Sequence, residues 1–321
     1  MDQDLIHTLI NIFVAPPAVL ALFLFLRPYL YLNRRLSLFK TLLSEDVAGK
    51  VVLITGASSG IGEHLAYEYA RRGACLALVA RREYLLREVA AISELLGSPN
   101  AIAIPGDVTK VEDCERFVNA TIEHFGRLDH LVANAGVAPV SLIEDASDIT
   151  RFAPAMDINF WGSVYSTYFA IPHLKRSKGK IIAISSCAAW LPAPRMSFYS
   201  ASKAAVLAMF ETLRIELAPD IGVTIVTPGV IKSEMSEGKF ITQRGRLEVD
   251  EEMRNVMVNI VPVESAEECA KAIVKGACRG EKYVVEPSWY NSLLLWKVFC
   301  PDAIEWTNRF FLVCSRALVK R

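Results

Sequence analysis

The sequence has no excess of charge of either sign. Its 321 residues contain 35 Lys and Arg against 35 Asp and Glu, so the formal net charge is +0. Proteins that bind nucleic acid usually carry a basic excess or a basic stripe. The neutral balance, broken only by short pairs such as Arg71-Arg72, therefore gives no reason to expect a nucleic-acid partner.

Cysteine is also scarce, with seven residues scattered along the chain and none at C-x-x-C spacing. The odd count and the missing pairs argue against a disulfide framework and against a zinc site, so no metal is predicted. Reduced thiols in a domain that faces the cytosol are expected instead.

Internal repeats and low-complexity linkers are absent as well. Hydrophobic residues reach 52%, yet the 22% of charged residues exclude a membrane protein with many spans. One domain of about 250 residues with an extra apolar element fits this composition best. We predict a hydrophobic anchor over residues 1–43, the main domain over 44–288 and an amphipathic segment over 289–321.

The apolar element lies at the N-terminus, where residues 5–26 carry no formal charge. A stretch of about 20 apolar residues is long enough to cross a bilayer as a helix. Asp2 and Asp4 stand where a cleaved signal peptide would be basic, so we predict a retained anchor. Basic residues follow from Arg27 onward, which would place this flank and the main domain in the cytosol.

Two prolines, Pro16 and Pro17, interrupt this apolar stretch. Proline inside a helix removes a hydrogen bond and clashes with the preceding turn. The segment is therefore expected either to span as one helix or to turn back as a hairpin. A hairpin would sit in one leaflet or in the single phospholipid layer of a lipid droplet. The alternative is a buried core helix.

From Lys50 onward, apolar runs alternate with helical patterns. The predicted strands are 51–54, 74–80, 101–108, 128–136, 180–186, 223–229 and 282–287. The predicted helices are 61–72, 84–96, 111–125, 151–174, 198–217 and 266–275. Strict alternation predicts an α/β fold with a doubly wound, seven-stranded parallel sheet of Rossmann type.

The octapeptide TGASSGIG, residues 55–62, follows the first predicted strand and opens a helix. This is the context of a turn that binds the phosphates of a dinucleotide. Gly56 would permit the tight turn, Gly60 would let the backbone approach the pyrophosphate, and Gly62 would allow close packing of helix on sheet. Amides at the helix start would face the phosphates. The predicted binding residues here are Gly56, Ser58, Ser59, Gly60, Ile61 and Gly62. A purely structural glycine turn is the alternative.

The end of the second strand bears on the choice of cofactor. NAD sites usually carry an acidic residue there, which binds the ribose 2′-hydroxyl. This sequence has Arg81 and Arg82 instead, and arginine can pair with a 2′-phosphate. NADP(H) is therefore predicted and NAD is less favoured, with two solvated arginines as the alternative. Asp107, followed by Val108, would accept from the adenine amino group or would simply cap the strand end.

Tyr199 stands four residues before Lys203 in FYSASKAAV. Residues at this spacing lie on one face of a helix. Two interpretations arise from the pair alone. One is a surface hydroxyl beside a solvated charge, and the other is a proton donor whose pKa the lysine lowers.

Together with NAG at 134–136, Asn159 in DINFWG, Ser186 in ISSCAAW and PGVIKS at 228–233, these motifs resemble the short-chain dehydrogenase/reductase family over residues 51–287. The resemblance implies that Tyr199 is the general acid/base and that Ser186 binds the substrate oxygen. It implies that Lys203 binds the nicotinamide ribose and lowers the tyrosine pKa, and that Asn159 holds a water linked to Lys203.

Further cofactor contacts are implied for the loops after the later strands. They are Asn134, Ala135, Gly136, Pro228, Gly229, Ile231 and Ser233. The family usually has threonine where Ser233 stands and often asparagine where Ala133 stands, and both departures are mild.

Further motifs, among them SEDVAGK, NFWGSVY and AAWLPAPRMSFY, are similar to the steroleosins. These are hydroxysteroid dehydrogenase-like proteins of plant oil bodies, whose leader is a proline-knot anchor. The resemblance implies an enzyme on lipid droplets and endoplasmic reticulum that faces the cytosol and acts on sterol-like alcohols and ketones with NADP. Alternatives are a reductase of sphingoid or retinoid lipids and a structural droplet coat protein.

The sequence leaves the roles of two further regions open. Trp190, Leu191 and Met196 would either line an apolar pocket or pack in the core. The aromatic segment 289–321 would lie on a membrane, cover the sheet or contact a partner in a homodimer.

Overall fold

A parallel sheet of seven strands organises the protein, whose structure is a computed structural model. The structure describes residues 44–242, 245–257 and 262–319, without the side chains of 252, 256–257 and 311–319. The predicted anchor in residues 1–43 lies outside the described residues and stays a prediction. The described residues from Asp46 onward belong to one compact unit.

Most strands of the parallel sheet are buried and apolar, as expected for a sheet that is covered on both faces. The strands are β1 Val51–Thr55, β2 Cys75–Ala80, β3 Ala101–Pro105, β4 His130–Ala133, β5 Lys180–Ile184, β6 Gly222–Pro228, β7 Lys239–Ile241, β8 Leu247–Val249 and β9 Tyr283–Glu286. Of these, β7 and β8 form a separate hairpin. The sheet order is β3-β2-β1-β4-β5-β6-β9, and every neighbouring pair is parallel. The predicted seven-stranded parallel sheet is confirmed.

Helices follow the strands in alternation. They are α1 Gly60–Arg71, α2 Glu83–Leu95, α3 Val111–Phe125, α4 Ala153–Met156, α5 Gly162–Ser177, α6 Ser197–Glu216, α7 Glu251–Met257, α8 Ala266–Cys278, α9 Tyr290–Phe299 and α10 Pro301–Val319. A π-helical turn, Asp157–Trp161, joins α4 to α5. Helix α3 ends at Gly126, whose φ of 74° is a conformation that glycine adopts at no steric cost.

Each face of the sheet carries its own apolar core. Successive side chains of a strand point to opposite faces. Thus Ile54 packs with Tyr69 of α1 and Ile273 of α8, while Leu53 packs with Phe117 of α3 and Phe210 of α6. Helices on both faces make the sheet doubly wound, as the alternation predicts.

Five predicted strands are longer than the observed ones, and the third and fourth strands differ most. The ladder stops at Pro105 in β3 and at Ala133 in β4, so Asp107 and Asn134 lie in loops beyond the sheet. The sequence stays apolar beyond the strand ends because these loops are partly buried. The pattern of apolar residues alone therefore does not show where strand pairing ends. The antiparallel hairpin β7–β8 and the helix α7 lie in a polar segment for which no element was predicted.

The C-terminal helices follow the last strand. Tyr290 of α9 packs against Gly229, where a Cβ would lie only 2.2 Å from the tyrosine ring. Lys297 of α9 donates to the carbonyl oxygen of Trp190. Across the described ranges, no helix combines the length and apolar character that crossing a membrane requires.

Candidate active site

In the glycine turn between β1 and α1, backbone atoms lie so close to the glycines that a side chain would not fit. Gly56 has a φ of +67°, and a Cβ there would lie 2.8 Å from Cα of Ala135. A Cβ on Gly62 would lie 2.3 Å from the carbonyl oxygen of Gly56. Both contacts are closer than a side chain tolerates, so glycine is required at each position.

The start of helix α1 leaves donors for an anion. Ser59 is the N-cap residue, with extended backbone angles, but its side chain makes no capping hydrogen bond. The first amides of a helix lack partners within the helix, and their dipoles favour negative charge. This arrangement fits the phosphate groups of a dinucleotide cofactor.

Hydrogen bonds between Thr55 and Asn134 join the turn to the loop after β4. Asn134 Nδ2 donates to the carbonyl oxygens of Thr55 at 2.9 Å and Gly56 at 3.2 Å. The amides of Asn134 and Ala135 donate to Oγ1 of Thr55 at 3.0 and 3.2 Å. Asn134 thus holds the two loops at a fixed separation, and its contact with the cofactor stays a prediction.

A cavity of about 620 Å³ opens at the carboxyl edge of the sheet. The predicted site residues that line it are Gly56, Ser58, Ser59, Gly60, Ile61, Arg81, Arg82, Asp107, Val108, Asn134, Ala135, Gly136, Ser186, Tyr199, Lys203, Pro228, Gly229, Ile231 and Ser233. Gly62 and Asn159 are not among the lining residues. Leu191 and Met196 line the cavity, as one of their two interpretations proposed, whereas Trp190 does not.

Tyr199, Lys203 and Ser186 converge on this cavity. Tyr199 and Lys203 lie one turn apart on α6, with Lys203 Nζ 6.0 Å from the centre of the tyrosine ring. Lys203 Nζ donates to the carbonyl oxygen of Ile184 at 2.8 Å. Ser186, in the turn after β5, lines the same cavity, and its hydroxyl donates to the carbonyl oxygen of Pro228 at 3.4 Å. The structure therefore brings the predicted trio together.

Burial dominates the acid–base properties of the pair. It raises the pKa of Tyr199 to about 12, although the nearby hydroxyl of Ser186 acts in the opposite direction. Burial also lowers the pKa of Lys203 to about 8. Burial therefore sets the direction of the Tyr199 pKa shift, because it disfavours the charged phenolate. A lowering of this pKa by Lys203, which the family resemblance implies, stays a prediction.

Asn159 lies in the π-helical turn and is fully buried. Its Oδ1 accepts from the amide of Val137 at 2.8 Å, and its Nδ2 donates to the carbonyl of Val137 and to Oγ of Ser202. The side chain thus braces the loop after β4 against α6. Such π-helical turns are frequent at functional sites. The role of Asn159 in holding a water stays a prediction.

At the opposite end of the cavity, Arg82 forms an ion pair that the sequence analysis missed. Its two terminal nitrogens contact the two carboxylate oxygens of Glu234 at 2.7 and 2.8 Å. Hydrogen bonds from Arg82, first of all, and from Lys239 lower the pKa of Glu234 to about 2. No local sequence signal links Arg82 to a residue 152 positions away. Arg81, in contrast, is exposed.

Asp107 has the capping role that was one of its two interpretations. Its Oδ1 accepts from the amide of Thr109 at 3.0 Å and from the hydroxyl of Thr109 at 2.9 Å. Because the residue also lines the cavity, a contact with an adenine amino group stays a prediction.

A dinucleotide turn, a doubly wound parallel sheet and a Tyr–Lys–Ser trio define the class of nucleotide-dependent oxidoreductases. The short chain dehydrogenase family model matches residues 50–244. The chain belongs to the short-chain dehydrogenase/reductase family of oxidoreductases, which work with a nicotinamide cofactor.

Plant relatives match nearly the whole chain. 11-beta-hydroxysteroid dehydrogenase-like 6 of Arabidopsis thaliana is 54% identical, over 97% of this chain and 91% of that protein. 11-beta-hydroxysteroid dehydrogenase A of Sesamum indicum is 53% identical, over 98% of this chain and 90% of that protein.

Solved structures share the fold. A short chain dehydrogenase/reductase from Burkholderia phymatum in complex with NAD has a TM-score of 0.69 at 23% identity, covering 78% of this chain and 93% of that one. An alcohol dehydrogenase from Thermococcus sibiricus complexed with 5-hydroxy-NADP has a TM-score of 0.58 at 28% identity, covering 70% and 88%.

The buried amine of Lys203 predicts a pH-dependent stability. Between about pH 8 and pH 10.5 the unfolded chain holds a proton on this amine that the folded protein has lost, so stability rises with pH. We expect Lys203→Met, which has no such proton, to exceed the wild type in unfolding free energy near neutral pH. The gap should shrink by roughly 1.4 kcal/mol per pH unit in this window.

The measurement is urea denaturation of the full chain in mild detergent, followed by circular dichroism from about pH 7 to about pH 9.5, below the titration of Tyr199. All groups other than Lys203 titrate in both proteins, so the difference isolates the lysine. A gap that does not change with pH would contradict a depressed pKa for Lys203.

Proposed function

We propose that the protein is an NADP(H)-dependent oxidoreductase that interconverts a secondary alcohol and a ketone on a lipophilic hydroxysteroid or sterol. The convergence of Tyr199, Ser186 and Lys203 on one cavity carries this proposal. That cavity continues from the dinucleotide turn to apolar side chains such as Leu191 and Met196.

In the proposed reaction the nicotinamide cofactor supplies or accepts the hydride. The chain's own residues manage the proton and the charge on the substrate oxygen. With a pKa of about 12, Tyr199 holds its proton at neutral pH and donates it to the oxygen as negative charge develops there. Ser186 stabilises the same oxygen with a hydrogen bond.

Lys203 supports this chemistry from behind the tyrosine. Its pKa of about 8 leaves much of the amine protonated near neutral pH, so the amine can balance a forming tyrosinate during alcohol oxidation. Its bond to the carbonyl of Ile184 holds the side chain in place. Asn159 and Ser202 support the same helix through their hydrogen bond.

The preference for NADP rests on Arg82. Its guanidinium lies beside the dinucleotide turn, where Nη2 contacts Ser58 Oγ at 3.1 Å and Ser59 Oγ at 2.7 Å. These groups form an array of hydrogen-bond donors with one positive charge, which suits a ribose 2′-phosphate. No acidic residue ends β2, which also supports NADP over NAD.

The substrate class rests on the apolar end of the cavity and on similarity. Val140, Met196 and Phe240 line this end, and all three belong to the apolar cluster around Tyr199. Such a wall favours a rigid apolar substrate with one polar oxygen. The similarity to plant proteins named 11-beta-hydroxysteroid dehydrogenases supports a hydroxysteroid or sterol.

We further propose that residues 5–26 attach the protein to lipid droplets and the endoplasmic reticulum, with the catalytic domain in the cytosol. The uncharged stretch, its prolines and the basic residues from Arg27 onward support this location.

Replacing Tyr199 with phenylalanine should abolish turnover, by about 10²-fold or more, because the proton donor is lost. NADP⁺ reduction by the full chain in mild detergent is measured against a panel of sterols, sphingoid alcohols and retinoids. NADP⁺ binding should persist in the variant.

Tyr168→Phe is the matched control, since Tyr168 lies exposed on α5 and should leave turnover unchanged. Turnover by Tyr199→Phe near the wild-type rate would contradict the assignment. A wild-type protein that turns over no lipid alcohol would favour the coat-protein alternative.

Replacing Arg82 with alanine should raise the Kd for NADP⁺ by about tenfold or more, because a charge-assisted hydrogen-bond donor to the 2′-phosphate is lost. The Kd for NAD⁺ should change far less. Arg81→Ala should have a smaller effect because that side chain is exposed. Isothermal titration calorimetry provides the constants, and equal effects on both nucleotides would refute the proposed role.

A chain that begins at Ser44 lacks the apolar stretch and should move to the soluble fraction of the cell. Fractionation of lipid droplets, membranes and cytosol measures this, with the full chain as the reference. Retention on droplets would assign the attachment to α9 and α10, where Trp296 and Phe299 are exposed by 55% and 71%.

A further inference from the structure

Glu234 places a carboxylate of the chain itself at the adenosine end of the cavity. Nη1 and Nη2 of Arg82 donate to the two oxygens of this carboxylate at 2.7 and 2.8 Å. Ser59 Oγ donates to Oε2 at 2.9 Å, and Lys239 Nζ donates to Oε1 at 3.1 Å. Four donated hydrogen bonds, three of them from charged groups, make this a well-formed anion site.

The donors around Glu234 belong to the dinucleotide turn and its surroundings. Ser59 lies in the turn itself, Arg82 follows β2, and Ser58, also in the turn, accepts from Nη2 of Arg82 at 3.1 Å. Ser59 makes no capping bond to helix α1, and its hydroxyl is directed to the carboxylate instead. We call Ser58, Ser59, Arg82 and Lys239 the anion cradle.

A carboxylate and a phosphate cannot both use this cradle fully. The fork of one guanidinium matches one bidentate anion, and Glu234 already occupies it. Arg82 and Lys239 bring two positive charges, of which Glu234 cancels one. A phosphate monoester carries about −1.5 to −2 at neutral pH, so a neighbouring carboxylate would repel it strongly.

Glu234 also lies on the segment that leads to the cover of the catalytic tyrosine. Met235, the next residue, packs in the apolar cluster of Tyr199 and Phe240. The strand β7 that follows is tied to the loop after β4, since the amide of Ile241 donates to the carbonyl of Ala138 at 2.9 Å. A movement of Glu234 out of the cradle would therefore act on the wall of the substrate end.

We propose that Glu234 is a specificity-determining residue of the cofactor site, which competes with the 2′-phosphate of NADP for the anion cradle. Binding of the phosphate displaces the carboxylate and releases the segment around Met235. This inference rests on the proposed function, because it requires a nicotinamide dinucleotide in the cavity. It implies that the chain's preference for NADP over NAD is weaker than Arg82 alone would produce.

The test measures nucleotide affinity by isothermal titration calorimetry on the full chain in mild detergent. Glu234→Gln should lower the Kd for NADP⁺ and for 2′,5′-ADP by about three- to tenfold, since the competing charge is gone. The Kd for NAD⁺ and for 5′-AMP, which lack the phosphate, should stay unchanged or rise. Glu234→Ala should give the same pattern.

Glu237→Gln is the matched control. It removes the same charge from an exposed position three residues further along the segment. Its affinity for NADP⁺ should equal that of the wild type. Equal gains in both variants would assign the effect to net charge and overturn the proposal. An unchanged or raised Kd for NADP⁺ in Glu234→Gln would overturn it as well.

Displacement of Glu234 can also be tested on the wild-type protein, so the test does not depend on the folding of a variant. Hydrogen–deuterium exchange of the peptide that contains Glu234 and Met235 should increase more with 2′,5′-ADP than with 5′-AMP. Equal or lower exchange with 2′,5′-ADP would refute displacement. If the wild type bound none of the four nucleotides, both this inference and the proposed function would fail. If the wild type bound NADP⁺ and Glu234→Gln left the Kd for NADP⁺ unchanged, this inference alone would fail.

Discussion

The hydrogen bonds between Thr55 and Asn134 are the constraint on which the site depends. They lie where β1 has β2 on one side and β4 on the other, so the strand order reverses at this point. Loops that leave neighbouring strands in opposite directions open a crevice there. Asn134 fixes the width of that crevice, because its side chain reaches the carbonyls of both Thr55 and Gly56. The cavity, its glycine turn and the loop before Asn159 are all positioned from this junction.

Two pairs of ionisable side chains lie at opposite ends of the cavity, and the two pairs differ in their exposure to solvent. Lys203 and Tyr199 are almost fully buried, so desolvation governs both and moves each towards its neutral form. Arg82 and Glu234 are partly exposed, and direct hydrogen bonds govern them, keeping the carboxylate ionised. The same cavity thus keeps a proton on a phenol at one end and a charge on a carboxylate at the other.

The segment from Ile231 to Ile241 connects these two ends. It leaves the sheet after β6, passes the glycine turn, where Gly60 admits Ser233, and then lays Met235 and Phe240 beside Tyr199. Few of its contacts are regular, apart from the short pairing of β7 with β8. Segments with few ladder hydrogen bonds open at lower cost than core strands. This segment can therefore respond to what binds at either end of the cavity.

Local patterns in the sequence determined much of this protein. Apolar runs, glycine spacing and the Tyr199–Lys203 interval predicted the parallel sheet, the dinucleotide turn and one face of α6, since each depends only on neighbouring residues. Tertiary structure alone decided the rest. It paired Arg82 with Glu234 across 152 positions, and Asn159 with Ser202 across 43. It also buried Tyr199, and the burial that raises the pKa of this residue arises only when distant strands, loops and helices pack around the ring.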